Sequence, residues 1–256
     1  MKIHLLRHST FLISIGGKQI IVDPMFMTSG IKSPIPTKKN GKGKSNPLVD
    51  LPVSEDELKN IINSLDAVLI THMHFDHFYE TENITLPRDI PVLCQPADAD
   101  RLNELGFKQV IPIDMNFAWK GITINRVKCS HGGLILKHIM GEGSGFVLKA
   151  KEEPSVYISG DTVWDSSVKK TLLEQKPEIS ILYAGGAKFP IGRSITMDKA
   201  DIEKVCNCAP DTKIITVHME AINHCLLTRK ELGDYLNQKQ LSSRVKILDD
   251  GELFTI

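Results

Sequence analysis

Apolar residues fall along this chain in short runs bounded by Gly, Pro, Asn and Asp. That pattern predicts strands punctuated by turns. Ile3 to Val22 reads as two or three strands with a Gly16-Gly17 turn; Phe11–Ile15 and Gln19–Val22 form a hairpin ending at Asp23-Pro24. Ala67-Val68-Leu69-Ile70, Pro91–Cys94, Val110–Ile113, Phe117–Trp119, Ile122–Val127, Gly145–Leu148, Val156–Ile158, Ile179–Tyr183 and Lys213–Ile215 read as further strands, with Val245–Leu248 the last. Helical patterns lie between them. Ser54-Glu55-Asp56-Glu57 is a capping box opening a helix through Ser64, and Thr228-Arg229-Lys230-Glu231 opens another to Gln238. Ala97–Leu105, closed by Gly106, the amphipathic Val168–Gln175, stopped before Pro177, and Asp198–Cys206 complete the helices.

Two stretches break the pattern. Met25 to Pro52 is irregular, and its Thr28–Pro47 part is rich in Pro, Gly and Lys, so it reads as a long loop, either a lid or disordered. Its basic run Lys38-Lys39-Asn40-Gly41-Lys42-Gly43-Lys44 offers charge to an anionic substrate if it faces a site, and is a solvated tract otherwise. Ala184 to Pro190 is a second irregular connection, whose Gly185-Gly186 pair lets backbone amides approach a ligand. Lys188 beside it is a candidate substrate contact or an ordinary surface lysine.

Composition narrows the class. A chain of 256 residues with 41% hydrophobic content supports one domain, 1–256, with a substantial core. Equal numbers of basic and acidic residues, 31 each, point away from nucleic acid and anionic membranes. No apolar run approaches the roughly 20 residues of a membrane span, and Met1–His8 lacks the pattern of a signal peptide. Five cysteines do not make a disulfide framework, and Cys206-x-Cys208 reads as a structural thiol pair at a helix end. A reduced, cytoplasmic compartment is the expectation.

The chemistry concentrates in Thr71-His72-Met73-His74-Phe75-Asp76-His77, directly after the apolar run at 67–70. If the strand continues, His72 and His74 point to one side, and a helical turn brings Asp76 and His77 to a neighbouring point. Imidazole and carboxylate are ligands for zinc and its neighbours, and this crowding suits a pair of divalent ions better than one. A metal-free cluster of this density would be costly to bury.

His-x-His-x-Asp-His after a short apolar strand resembles the signature of the metallo-β-lactamase-fold hydrolases. The resemblance implies a mixed α/β fold, a four-layer αβ/βα sandwich of two mixed sheets flanked by helices. It implies three more ligands, each after a strand and in order, and the chain has them: His131 in Cys129-Ser130-His131-Gly132-Gly133, Asp161 in Ser159-Gly160-Asp161-Thr162, and His218 in Thr216-Val217-His218-Met219-Glu220. By that likeness His72, His74 and His131 hold one ion, Asp76, His77 and His218 the second, and Asp161 bridges them. The pair lowers the pKa of a shared water, whose hydroxide attacks a carbonyl or phosphorus. The free oxygen of Asp76 orients that nucleophile or protonates the leaving group, so Asp76 is the catalytic candidate.

Within the superfamily, His74 stands where flavo-diiron relatives have Glu, Phe78-Tyr79 replaces the Gly-Gly of glyoxalase II-like thioesterases, and the chain after Asp161 is short for the nucleic-acid-cleaving branch. His8-Ser9-Thr10-Phe11, Asp23-Pro24 and Ser159–Thr162 are similar to the branch of L-ascorbate-6-phosphate lactonases and N-acylphosphatidylethanolamine phospholipases D. His8 is therefore a candidate substrate contact as well as a strand-end histidine bonded to backbone. His224 and Asn223, in the loop after His218, could also reach the site, as could His138. The expected function is hydrolysis of a small, anionic ester, lactone or phosphoester. Phosphodiesterase action on a lipid or nucleotide, or non-catalytic metal or ligand sensing, remain alternatives. The expected cofactor is two divalent ions, Zn2+ at both sites, with Mn2+, Fe2+ or Ni2+ acceptable. The expected partners are a small-molecule substrate and a second copy of the chain, without nucleic acid or membrane insertion.

Overall fold

The computed structural model describes residues 1–37, 43–130 and 141–256. The hairpin β1 (Lys2–Arg7), β2 (Thr10–Ile15) and β3 (Lys18–Val22) starts a first sheet, which β4 (Ala67–Ile70), β5 (Pro91–Cys94) and β6 (Gln109–Pro112) extend. A second sheet takes β7 (Asn116–Trp119), β8 (Ile122–Lys128), β9 (Ser144–Ala150), β10 (Val156–Ile158), β11 (Ile179–Tyr183), β12 (Lys213–Val217) and β13 (Val245–Ile247). The chain then returns to the first sheet as β14 (Leu253–Thr255). The orders are β14-β1-β2-β3-β4-β5-β6 and β13-β12-β11-β10-β9-β8-β7. Both sheets are mixed: β3 through β6 are parallel, as are β10 through β13, while the other neighbours are antiparallel.

Strand periodicity builds the layers. Ile3, Leu5, Phe11, Ile13, Ile20, Val22 and Leu69 face inward and meet Ile124, Phe146, Leu148, Ile158, Ile181 and Ile215 of the other sheet. The alternate residues Ile21, Val68, Ile70 and Val92 face outward, onto Leu58 and Ile62 of α1 (Glu55–Asn63) and Leu102 of α2 (Ala99–Glu104). On the far side Val147, Tyr157, Leu182 and Ile214 pack on α3 (Ser166–Gln175), α4 (Lys199–Cys208) and α5 (Arg229–Gln238) through Val168, Leu172, Ile202, Val205 and Leu232. The central strands are thus buried on both faces, which is why they are continuous apolar runs without alternation. A one-residue slip would exchange inner and outer layers, so the register is strongly specified. This is the expected αβ/βα sandwich.

Three details differ from the sequence reading. The last strand is β14, which pairs with β1 through Lys2↔Thr255 and His4↔Leu253. The segment at 97–105 begins as a 3₁₀ turn at Pro96–Asp98 before α2. In the 28–47 loop, the described residues are tied down: Lys32 and Asn46 exchange backbone hydrogen bonds of 2.9 and 2.7 Å. Asn223 also accepts from Ile35 N and Asn46 Nδ2 and donates to Ile35 O. Lys38, Lys39 and Lys42 of the basic run lie outside the described residues.

Candidate metal centre

Every site segment leaves the C-terminal end of a strand: Asp23 after β3, 71–77 after β4, Asp161 after β10 and His218 after β12. The parallel halves of the two sheets bring these ends together. Position 160 follows β10 at φ +60, and a Cβ there would lie 2.5 Å from Ser144 O, so only glycine allows the turn that delivers Asp161. His8, Asp23 and His218 also hold positive φ, at 61, 45 and 63°. The other non-glycine residues in that region, apart from Glu220, are Lys120, Glu152, Lys176 and Gln240 at surface turns and helix ends. Strain of this kind gathers at functional sites.

His72 and His74 do converge, with His72 Nε2 2.9 Å from His74 Nδ1. Strand alternation is not the cause, because β4 ends at Ile70. The expected helical turn is present, as His74 O accepts from both His77 N and Phe78 N. Asp161 lies between the two halves of the cluster. Its Oδ2 is 3.9 Å from His72 Nε2; its Oδ1 is 3.4 Å from His77 Nε2 and 3.3 Å from His218 Nε2. Asp76 Oδ2 stands 4.0 Å from His77 Nε2 and 3.8 Å from His218 Nε2. Among the described residues, three donor groups are compact enough for an ion: His72, His77 and Asp161; Asp76, His77 and His218; and His8, His218 and Cys225.

Asp23 decides which nitrogens face the cluster. Its carboxylate accepts from Thr71 N, Thr71 Oγ1, His77 Nδ1 and Tyr183 Oη, at 2.7 to 2.8 Å. Neutral His77 therefore carries its proton on Nδ1 and turns a lone pair on Nε2 inward. Because the Thr71 hydroxyl donates to Asp23, it accepts from His72 Nδ1 at 3.0 Å, which leaves His72 Nε2 as a lone pair too. These are outer-shell contacts of the kind that fix metal-binding imidazoles. Tyr183, Thr71 and Cys225, whose Sγ lies 3.6 Å from His218 Nδ1, were not singled out by sequence.

Lone pairs on His72, His77, Asp161 and Asp76 thus converge in a buried space, and among the described residues Asp161 Oδ1 has no hydrogen-bond partner. Among the described residues, the ion-pair partners of Asp76 and Asp161 are all histidines. Burial works against ionisation of Asp76 and Asp161, but the surrounding imidazoles outweigh it and hold both well below the usual carboxylate range. Burial lowers the His77 pKa, but Asp161, Asp76 and Asp23 outweigh it and drive His77 well above the ordinary value. Without a cation, His77 answers that field by taking a proton. A divalent ion answers it with imidazole neutral. The donor set fits a metal.

The remaining candidates divide. His8 is fully buried with its ring 3.7 Å from that of His218, and Nε2 3.6 Å from Asp76 Oδ2. His224 is buried in the same electrostatic field, with Nδ1 unpartnered and its ring 6.1 Å from Phe189. Lys188 enters by its backbone, donating from N to His224 O at 3.0 Å. Asn223 serves the loop clamp. His131 and His138 lie outside the described residues. Beside the cluster, Met25, Met27, Ala187, Ile195, Ile222 and Cys225 form an apolar patch with Phe75, Tyr79 and Phe189 against it.

Residues 2–218 match the model of the β-lactamase superfamily domain. The chain belongs to that superfamily. This superfamily member is 36% identical over 258 residues to UPF0173 protein YddR of Bacillus subtilis (strain 168), covering 100% of both chains. It superposes with a TM-score of 0.93 on a structure described as a possible metal-dependent hydrolase from Veillonella parvula DSM 2008, at 30% identity over 100% of this chain and 99% of that one. An isothiocyanate hydrolase from Delia radicum gut bacteria gives 0.92, again at 30% identity and the same coverage. UPF0173 relatives, that of Flavobacterium johnsoniae among them, are named metal-dependent hydrolases, and the chain is an enzyme of that kind. Among the described residues, no helix is long and apolar enough to cross a membrane.

Proposed function

We propose that this chain is a hydrolase that uses two divalent metal ions, zinc first among them. His72, His74 and His131 hold one ion, Asp76, His77 and His218 hold the other, and Asp161 lies between. The observation that carries this reading is the convergence of lone pairs around the unpartnered Asp161 Oδ1, 3.4 Å from His77 Nε2 and 3.3 Å from His218 Nε2. Bound there, divalent ions supply Lewis acidity and bring the pKa of a water towards neutrality. The chain's own residues do the rest. Asp76, kept ionised, accepts the proton of the attacking water and returns it to the leaving group. Asp23, through His77 and Thr71, holds the imidazoles in the required tautomer. The buried apolar cluster that includes Ile195 and Ile222 reaches the site through Cys225, whose Sγ lies 3.6 Å from His218 Nδ1.

That patch also bears on the substrate. An apolar neighbourhood favours a small, weakly charged electrophile at carbon, such as an ester, a lactone or an isothiocyanate. The related isothiocyanate hydrolase, by its name, acts on the last of these. The test is metal analysis of the purified chain and turnover of benzyl isothiocyanate, p-nitrophenyl acetate, γ-butyrolactone and bis(p-nitrophenyl) phosphate, with and without chelator. About two metals per chain and chelator-sensitive turnover of a carbon substrate are expected. Phosphodiester turnover alone would replace the substrate class. A chain that takes up no metal would end the hydrolase reading.

A further inference from the structure

The turn between β1 and β2 carries more of the site than its length suggests. His8, Ser9 and Thr10 are each bonded to a different site segment. His8 O accepts from His218 N at 2.7 Å, Ser9 Oγ donates to Asp76 O at 2.8 Å, and Thr10 Oγ1 donates to Asp23 O at 2.7 Å. This clamp holds His8 in the left-handed region, at φ 61, where a non-glycine residue is strained. The turn has spent that strain on placing one imidazole.

The imidazole is unusual. It is fully buried, yet among the described residues neither ring nitrogen has a hydrogen-bond partner, although buried polar groups nearly always do. Its ring lies on His218, and its Nε2 is 3.6 Å from Asp76 Oδ2, just beyond hydrogen-bond length. A histidine kept only for packing would gain by having its nitrogens satisfied or replaced by carbon.

We infer that His8 is a positioning residue for Asp76: its Nε2–H closes onto Asp76 Oδ2 and fixes the rotation of that carboxylate. Oδ2 is then held toward His77 and His218, and Oδ1 is left to handle the proton. The inference rests on the hydrolase reading above. It differs from a substrate contact, since His8 is fully buried with its ring against His218. It also differs from a metal-ligand role for the grouping His8, His218 and Cys225.

The test uses the full chain, wild type, His8→Gly and His8→Gln. Glycine suits the left-handed backbone and removes the imidazole; glutamine restores an N–H near the Nε2 position. Each is assayed for metal content, for kcat and KM on the best carbon substrate, and, after loading with Co2+, for its visible absorption spectrum. The expected results are a folded His8→Gly chain with wild-type metal content, a changed cobalt spectrum, and kcat down about 10–100-fold, the range for outer-shell partners, at nearly unchanged KM. His8→Gln should recover a large part of kcat and the wild-type spectrum. Unchanged kcat and spectrum in His8→Gly would overturn the inference, and so would loss of one metal equivalent in both variants, which would make His8 a ligand. If His8→Gly does not fold, His8→Gln alone decides: wild-type metal content with kcat and spectrum preserved supports the inference, and a lost metal equivalent or an abolished kcat overturns it. Failure of the hydrolase reading itself is seen separately, as a wild-type chain without metal or turnover.

Discussion

At the scale of single residues, Asp23 is the most consequential side chain that need not touch a metal. It receives His77 directly and His72 through the Thr71 hydroxyl, so one carboxylate sets the tautomers of two imidazoles in different halves of the cluster. Asp23→Asn places an amide where two oxygens accepted four hydrogen bonds. It should lower metal affinity by about 10–100-fold while leaving a folded chain, as measured by competition with a chromophoric chelator; affinity unchanged within twofold would contradict the role. Tyr183→Phe removes one of those four donors and should have a smaller effect of the same sign. The metal-ligand candidates were legible because His and Asp carry their chemistry in their identity, and His-x-His-x-Asp-His packs four of them into six residues. Asp23 was visible only as half of an Asp-Pro pair. Tyr183 was invisible, since its meaning lies in a hydrogen bond to a residue 160 positions away. Cys225 was equally hidden, because a cysteine in a loop says nothing until His218 Nδ1 stands beside it.

At the scale of elements, local signals and long-range ones can be separated by experiment. Thr228 caps α5 by accepting from Glu231 N, and the Glu231 side chain returns the bond to the cap backbone. Thr228→Ala should cost about 1 kcal/mol, read from urea midpoints, with metal content untouched; a loss of metal would show that α5 does more than cover the second sheet. The loop after β11 behaves in the opposite way. A Cβ on Gly185 would lie 2.2 Å from His218 O and 2.9 Å from Cys225, and backbone cannot yield as a flexible side chain does. Gly185→Ala should therefore displace His218, lowering metal content and melting temperature together. A variant with full metal content would sink that account. Both capping boxes were readable because the signal lies within four residues, and the same holds for the buried strands. β14 was missed because its three residues become a strand only by pairing with Lys2–His4 at the other end of the chain. The convergence of His72 and His74 was foreseen on the wrong ground, since β4 stops at Ile70, before either of them.

At the scale of the molecule, the site joins the two sheets: Asp23, His72, Asp76 and His77 come from the first, Asp161 and His218 from the second. Alternation with helices foretold layers but not which strand ends would meet, since strand order is a property of the whole chain. A metal bound across this junction binds the folded state alone, so loading should raise stability, by about 3 kcal/mol at a free ion concentration 100 times Kd. The pH dependence of the metal-free chain follows from the buried imidazoles. Burial pushes His8 down from 6.5 to about 4 and also lowers His218 and His224, so these are neutral when folded and take protons when unfolded. Their contribution is complete above pH 6.5 and is lost as pH falls from there through about 4. For His8 alone the loss is about 3 kcal/mol. His77 has the opposite sign. Its pKa is raised by the carboxylates, so its contribution is complete below 6.5 and is lost as pH rises through the raised value. Asp76 and Asp161 are held below the ordinary carboxylate value, and their contribution goes only in stronger acid. The metal-free chain should accordingly have a urea midpoint that peaks near pH 6.5 and falls on both sides. Loading with zinc should remove the alkaline fall, because a metal-bound His77 is already neutral and keeps only its Nδ1 proton, and steepen the acid fall, because protons compete for the ligands. Urea midpoints at about pH 5, 6.5 and 8, with and without zinc, measure both limbs. A metal-free chain equally stable at about pH 6.5 and 8 would mean that the carboxylates do not hold a proton on His77, and the charge argument for a cation would fall with it.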